Sequence, residues 1–279
     1  MKTAYIAPLG AIAIALSFAP ASAQESATKT WNGPYIGGSA GFGWRDNNSG
    51  ESIRFDRDGN GDFDDAVTTT TGANAFAPGF CGGAANGNNP GAGCRNDDNG
   101  LDWAVQLGYD RQMGNIVAGI VLEGGKTDVD DSVSGFSTTP ASYTMTRDIK
   151  YNAAARLRLG YSTPVGTLFY LTGGGAYAKV RNSFATTNTA NAFTPSNSKE
   201  DAWGWVAGGG VDQKITDTVS IGVLYKYTRY KADEYVVNAG RGTAPATNPF
   251  LIGPAGSTDF ARGSRFDTHS IMATAAFHF

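Results

Sequence analysis

From Leu101 the chain reads Leu-Asp-Trp-Ala-Val-Gln-Leu-Gly-Tyr-Asp, with a large apolar residue at every second position and small or polar residues between. Side chains on a β-strand point alternately to its two faces, so this pattern predicts a strand with one apolar and one polar face. Seven more segments repeat it. The predicted strands lie near 33–45, 101–112, 115–126, 148–162, 167–181, 200–213, 218–231 and 266–279. Val219, Ile221, Val223, Tyr225 and Tyr227 share one face of the seventh, opposite Ser220, Gly222, Lys226 and Thr228. In the sixth, Trp203, Trp205, Ala207 and Val211 oppose Gly204, Gly208 and Asp212.

The connections sort by length. Long segments at 46–100, 127–147, 182–199 and 232–265 alternate with tight turns at 113–115, 163–166 and 216–218. An even number of strands with long and short connections in alternation is the plan of an outer-membrane barrel, with short periplasmic turns and longer extracellular loops. Lipid offers no hydrogen-bond partners, so such a sheet must close on itself. The fold class predicted is all-β: an eight-stranded antiparallel transmembrane β-barrel. Tyr109, Tyr161, Phe277 and Phe279 are placed in its periplasmic aromatic belt, and Trp44, Trp103, Trp203 and Tyr227 in its outer one. In the last strand Ile271, Ala273, Ala275, Phe277 and Phe279 are assigned to lipid, and Met272, Thr274, Ala276 and His278 to the lumen.

Composition narrows this picture. The formal net charge of −3 leaves no basic footprint for nucleic acid. Lys2, the apolar run from Ile6 to Phe18 and Ala21-Ser22-Ala23 read as a signal peptide over residues 1–23, leaving 24–279 as one exported barrel domain. In an oxidising compartment the two cysteines, Cys81 and Cys94, are expected to form a disulfide.

The polar faces carry charge. Glu123, Arg156, Arg158 and Lys226 all point inward, with Asp110 and Asp212 near the periplasmic ends. Buried charges are costly unless paired, which predicts a lumenal ion-pair network centred on Glu123 and Arg156. Eight strands enclose only enough space for side chains or one small ligand, so a plugged lumen is favoured over a narrow gated pore.

The first long loop contains Phe-Asp-Arg-Asp-Gly-Asn-Gly-Asp-Phe-Asp-Asp. Asp56, Asp58, Asn60 and Gly61 match the first half of an EF-hand loop; Asp62 offers a carbonyl, and Asp64 and Asp65 add carboxylates. The twelfth position, where a bidentate glutamate belongs, is Val67. Weak calcium binding and a solvated acidic turn both fit; no other cofactor is implied. The long loops also hold Phe76, Phe80, Phe136, Tyr143, Phe184, Phe193, Phe250, Phe260 and Arg262, read as exposed and available for an external ligand, or as a cover over the mouth. The two histidines, His269 and His278, form no visible catalytic dyad: His269 and Ser270 point to opposite faces, and His278 has no Ser or Asp beside it in the sequence. No enzymatic activity is expected.

The stretches WNGPYIGGSAGFGW (31–44), RLRLGY (156–161), LTGGGAYAKV (171–180) and GWVAGGGVDQKIT (204–216), with the terminal phenylalanine, resemble the small outer-membrane β-barrel proteins of alphaproteobacteria, the immunogenic or opacity-type porin family. The resemblance covers most of the chain after residue 23 outside the loops. It implies eight strands similar to the barrel domain of outer-membrane protein A, no cofactor and no catalysis. Some members of the family bind haem or act as surface antigens; here no long loop contains a histidine. Phe279 resembles the terminal aromatic signal read by the barrel-assembly machinery. The first loop, with its cysteines and acidic turn, departs from the family. The reading is a structural and surface-interaction protein of the outer membrane. The alternatives are a narrow channel, or a receptor whose loops bind haem, calcium or a host surface.

Overall fold

A computed structural model describes residues 29–45, 51–196 and 198–279; the leader expectation lies outside them. Eight long strands form the frame: β1 (Gly33–Trp44), β2 (Gly100–Met113), β3 (Ile116–Thr127), β4 (Ala141–Ser162), β5 (Thr167–Thr186), β6 (Lys199–Lys214), β7 (Val219–Ala232) and β8 (Arg265–His278). Each pairs antiparallel with the next. The ring closes where β8 pairs with β1, from Tyr35 opposite His278 to Trp44 opposite His269. No edge in the wall is left for lipid to face. The turns at the lower end are tight. Gly114 (φ 63°) and Gly166 (φ 82°) sit in the left-handed region, where a Cβ is strained.

The wall is inverted relative to a soluble protein. Leu107, Leu159, Leu171 and Ile221 are exposed on its outer face, while Gln106, Arg158, Thr172 and Ser220 are buried inside. Rings mark the upper rim: Trp44 stacks on His269 (5.4 Å), Tyr227 lies against His269 (5.0 Å) and Trp205 (5.3 Å), and Tyr177 lies against Trp203 (5.0 Å). Tyr109, Tyr161, Phe277 and Phe279 face outward at the opposite rim, where the Phe279 N–H donates to Pro34 O at 3.0 Å.

The long connections are not irregular. Residues 127–147, read as a loop, form a hairpin in which Asp130–Ser137 pairs with the first third of β4. The reason is that β4 and β5 stay paired beyond a bulge at Lys179/Val180, so β4 runs for 22 residues and projects above the rim. A four-stranded sheet lies over the mouth, in the order Ala192–Pro195, Val236–Gly240, Thr258–Ala261, Arg54–Asp56; it draws on the first, third and fourth connections. Gly79–Gly82 adds to the hairpin edge. These pieces enclose a second apolar core, the cap.

Candidate functional site

The lumen is filled in layers. At the periplasmic end Trp31, fully buried, packs with Val117, Leu168, Tyr170 and Leu224. Its backbone N–H donates to Gln112 Oε1 at 2.8 Å. Above it Arg158 bridges Asp212 (3.0 Å) and Asp110 (3.5 Å), with its guanidinium 4.2 Å from the centre of the Tyr170 ring. The next layer is centred on Glu123, which accepts from Arg156 Nη2 at 2.7 Å and from Lys226 Nζ at 3.0 Å. Arg156 also donates to Thr172 Oγ1. Arg156 stands one strand from Glu123, but Lys226 stands four strands away, so the second bond spans the lumen. Ile149, Val180, Val206, Tyr230 and Phe266 lie in an apolar layer above. The space left beside Glu123 and Lys226 is about 10 Å³, at most one water.

At the mouth a second charged cluster joins barrel to cap, and the sequence reading missed it. Arg45, at the end of β1, contacts Asp131 and Glu51 and lies 3.5 Å from Asp97. Arg262 grips the same Asp131 at 2.7 Å and donates to the carbonyl oxygens of Asp131 and Met145. Burial pushes the Asp97 carboxyl up, against the lowering effects of the Ser132 N–H and the Arg45 charge. Arg147 donates to Gly263 O at 2.6 Å and lies 4.5 Å from the Phe266 ring centre. Burial and the neighbouring charges of Arg262 and Arg45 push it well below the usual guanidinium value. These residues come from β1 and from the first, second and fourth connections, so no local pattern announces them.

The loop aromatics read as exposed are mostly buried. Phe76, Phe136, Tyr143, Phe250 and Phe260 are buried; Phe80, Phe184 and Phe193 pack against the cap core. Phe260 is its hub, with Phe55 at 5.0 Å, Phe250 at 5.2 Å and Tyr143 at 5.5 Å. Short strands whose pairings span the chain bring these rings together, and burying them is the main stabilising contribution to the cap. A disulfide links Cys81 and Cys94.

In the acidic turn the structure groups Asp56, Asp58 and Asp65, with carboxylate oxygens within 4.8 Å of one another. Asp62 and Asp64, chosen from the EF-hand spacing, fall outside this group. Asp65, read with Asp64 as an added carboxylate, is the one that joins it, because Asp65 pairs with Phe55 in a β-bridge that folds the turn back on itself. Asn60 Oδ1 accepts the Asp62 N–H at 2.6 Å. Val67 is buried in the cap core, so the twelfth position supplies packing. Asp56 accepts the N–H groups of Gly59 and Gly61 at 2.7 and 2.9 Å. Burial alone would raise its carboxyl; these bonds outweigh that and hold it below the usual value.

His278 does have a serine neighbour, on the adjacent strand: Ser220 Oγ lies 2.9 Å from its Nε2. Both groups are buried, and Trp31 and Tyr35 pack against the imidazole ring at 5.3 and 5.2 Å. His269 sits in the outer belt with its Nδ1 2.8 Å from the Tyr225 hydroxyl.

The chain matches the family described as "Outer membrane protein beta-barrel domain" over residues 11–279. It belongs to that family. It is also similar to the 31 kDa outer-membrane immunogenic protein of Brucella melitensis, at 30% identity over 206 residues, 72% of each chain. A 22 kDa outer membrane protein of Rhizobium leguminosarum is 27% identical over 162 residues, 58% of this chain and 67% of that protein. Among solved structures, the crystal structure of OprG from Pseudomonas aeruginosa is similar over 90% of this chain and 99% of that one, with 13% identity and a TM-score of 0.49. The membrane this family member spans is the outer membrane.

Proposed function

We propose that the barrel is a closed, non-catalytic anchor and that its working part is the folded extracellular cap, a surface for external contacts. The observation that carries this is the filled lumen. Two ion-pair layers and two apolar layers stack from Trp31 to Phe266, and the space beside Glu123 admits no more than one water. The buried Ser220–His278 pair supports a packing role over chemistry. The Brucella relative is named an immunogenic protein, which is in keeping with a role for an exposed surface. Liposome swelling tests the reading. Vesicles containing the refolded protein are expected to swell in isosmotic arabinose no faster than empty ones. Swelling at porin rates supports the channel alternative instead.

A second reading concerns the acidic turn, where Asp56, Asp58 and Asp65 converge. We propose weak calcium binding at this turn, with Asp56, Asp58 and Asp65 supplying the carboxylates and backbone carbonyls and water the remaining oxygens. Millimolar calcium is expected to slow proteolysis between residues 56 and 65; an unchanged rate removes the idea.

A further inference from the structure

Some cations of the barrel's outer rim have an acid beside them: Lys126 lies 2.9 Å from Asp128 and Lys150 3.8 Å from Asp148. On the opposite side, Arg229 is held by Asp267 at 3.3 Å, but Lys231 and Arg265 make no ion pair among the described residues. These two cations stand directly across from each other on β7 and β8. Like charges in that position destabilise a sheet unless an anion lies between them.

Two further features lie along this side of the barrel, one at the rim and one lower on the lipid face. Beside Arg265 a cleft of about 230 Å³ is lined by Arg54, Arg262 and Glu51 as well. Arg54 is turned toward Glu234 (3.0 Å) and Arg262 toward Asp131 (2.7 Å), so the carboxylates present are already engaged. Lys231 is the direct cross-strand partner of Trp203, one of the rings of the outer belt that marks the membrane interface. Charges at the upper edge of that belt lie at headgroup depth. Further down the same side, Gly209 faces outward between Leu171 and Tyr225 and has no side chain to fill the gap. The result is an apolar groove of about 540 Å³ on the lipid face, bounded also by Leu159, Phe169 and Val223.

We propose that this side of the barrel holds one lipid of the outer leaflet by its phosphate, with Arg265 and Lys231 binding the phosphate oxygens, Arg54 at the edge of the cleft, and an acyl chain in the Gly209 groove. A guanidinium matches phosphate in a bidentate way, and a phosphate monoester carries the charge that the Lys231–Arg265 pair lacks. The groove explains why the ligand is a lipid and not a soluble anion.

The full chain, folded in a neutral detergent, is titrated with phosphatidic acid or phosphatidylcholine, and lipids retained per barrel are counted by native mass spectrometry. One phosphatidic acid is expected to stay bound, with a preference of roughly tenfold over phosphatidylcholine, as charge-assisted hydrogen bonds of this kind provide. The double variant K231Q/R265Q should lose that preference, while K126Q/K150Q on the opposite side keeps it. Heat-modifiable mobility on a gel confirms that each variant is folded. Equal retention of both lipids by the wild type, or equal loss in both double variants, overturns the proposal. So does displacement of the lipid by an equal concentration of inorganic phosphate, which would make this an anion site without a lipid.

Discussion

The barrel wall and the cap solve opposite problems, and β4 passes through both. In its lower half Arg156 and Arg158 are buried while Leu157 and Leu159 are exposed. In its upper part Tyr143, Met145 and Ile149 are buried. The change occurs near the outer belt, where Tyr151 lies 6.3 Å from Tyr177. Below it the solvent is lipid, so apolar groups face out and polar groups must find partners in the lumen. Above it the solvent is water, so the hydrophobic effect gathers the rings of four connections into one core. The wall is therefore specified by buried ion pairs between apolar layers, and the cap by aromatic packing.

Substitutions separate the two regimes. The largest effect is expected from Glu123→Gln, which leaves Arg156 and Lys226 buried without their shared anion. Breaking a buried pair from one side costs about 3–5 kcal/mol, which should appear as a lower urea midpoint for the folded band on a gel. Phe260→Ala removes the hub of the cap core and should cost about 3 kcal/mol, confined to the cap. Limited proteolysis should then cut the loops faster while heat-modifiable mobility persists; loss of the folded band would show that cap and wall are one cooperative unit.

Acidification has a smaller effect, again in the cap. The Asp56 carboxyl is held below its unfolded value of 3.8, so its contribution is present above that pH and is lost as pH falls through the lower folded value. Asp97 has the opposite sign: its raised value makes its contribution decline as pH rises from the unfolded value through the folded one. Proteolysis with an acid-active protease should therefore speed up first at 56–65, while the Asp97 contact at Ser132 keeps its protection. The smallest effect is expected from Lys126→Gln, whose exposed pair with Asp128 should change the urea midpoint by less than about 0.5 kcal/mol.

How much of this was legible follows from the same contrast. Leu101 to Tyr109 alternate in the sequence because each residue meets lipid or lumen alone, so the eight strands and their faces can be read locally. The Glu123–Arg156 contact follows from inward parity on neighbouring strands, and Lys226 joins them once eight strands place β7 opposite β3. The cap follows no such rule. Arg54–Asp56 and Thr258–Ala261 are too short to show a period, and Phe55 meets Phe260 only through pairing across most of the chain. The Arg45–Asp131–Arg262 cluster likewise joins segments far apart in the chain, whereas the Ser220–His278 contact follows from the β7–β8 register. The EF-hand spacing was misleading in one respect: the β-bridge at Asp65, not the register of the motif, decides which carboxylates meet.

The central claim, that the wall is shut by its own lumenal layers and the cap carries the contacts, is tested most directly by single-channel recording in planar bilayers before and after protease removal of the cap. The layered lumen predicts no steady openings in either state, because Arg158, Glu123 and Lys226 stay in place when the loops are cut. Steady openings in the intact protein, with a conductance that shifts when Arg156 is neutralised, would contradict it.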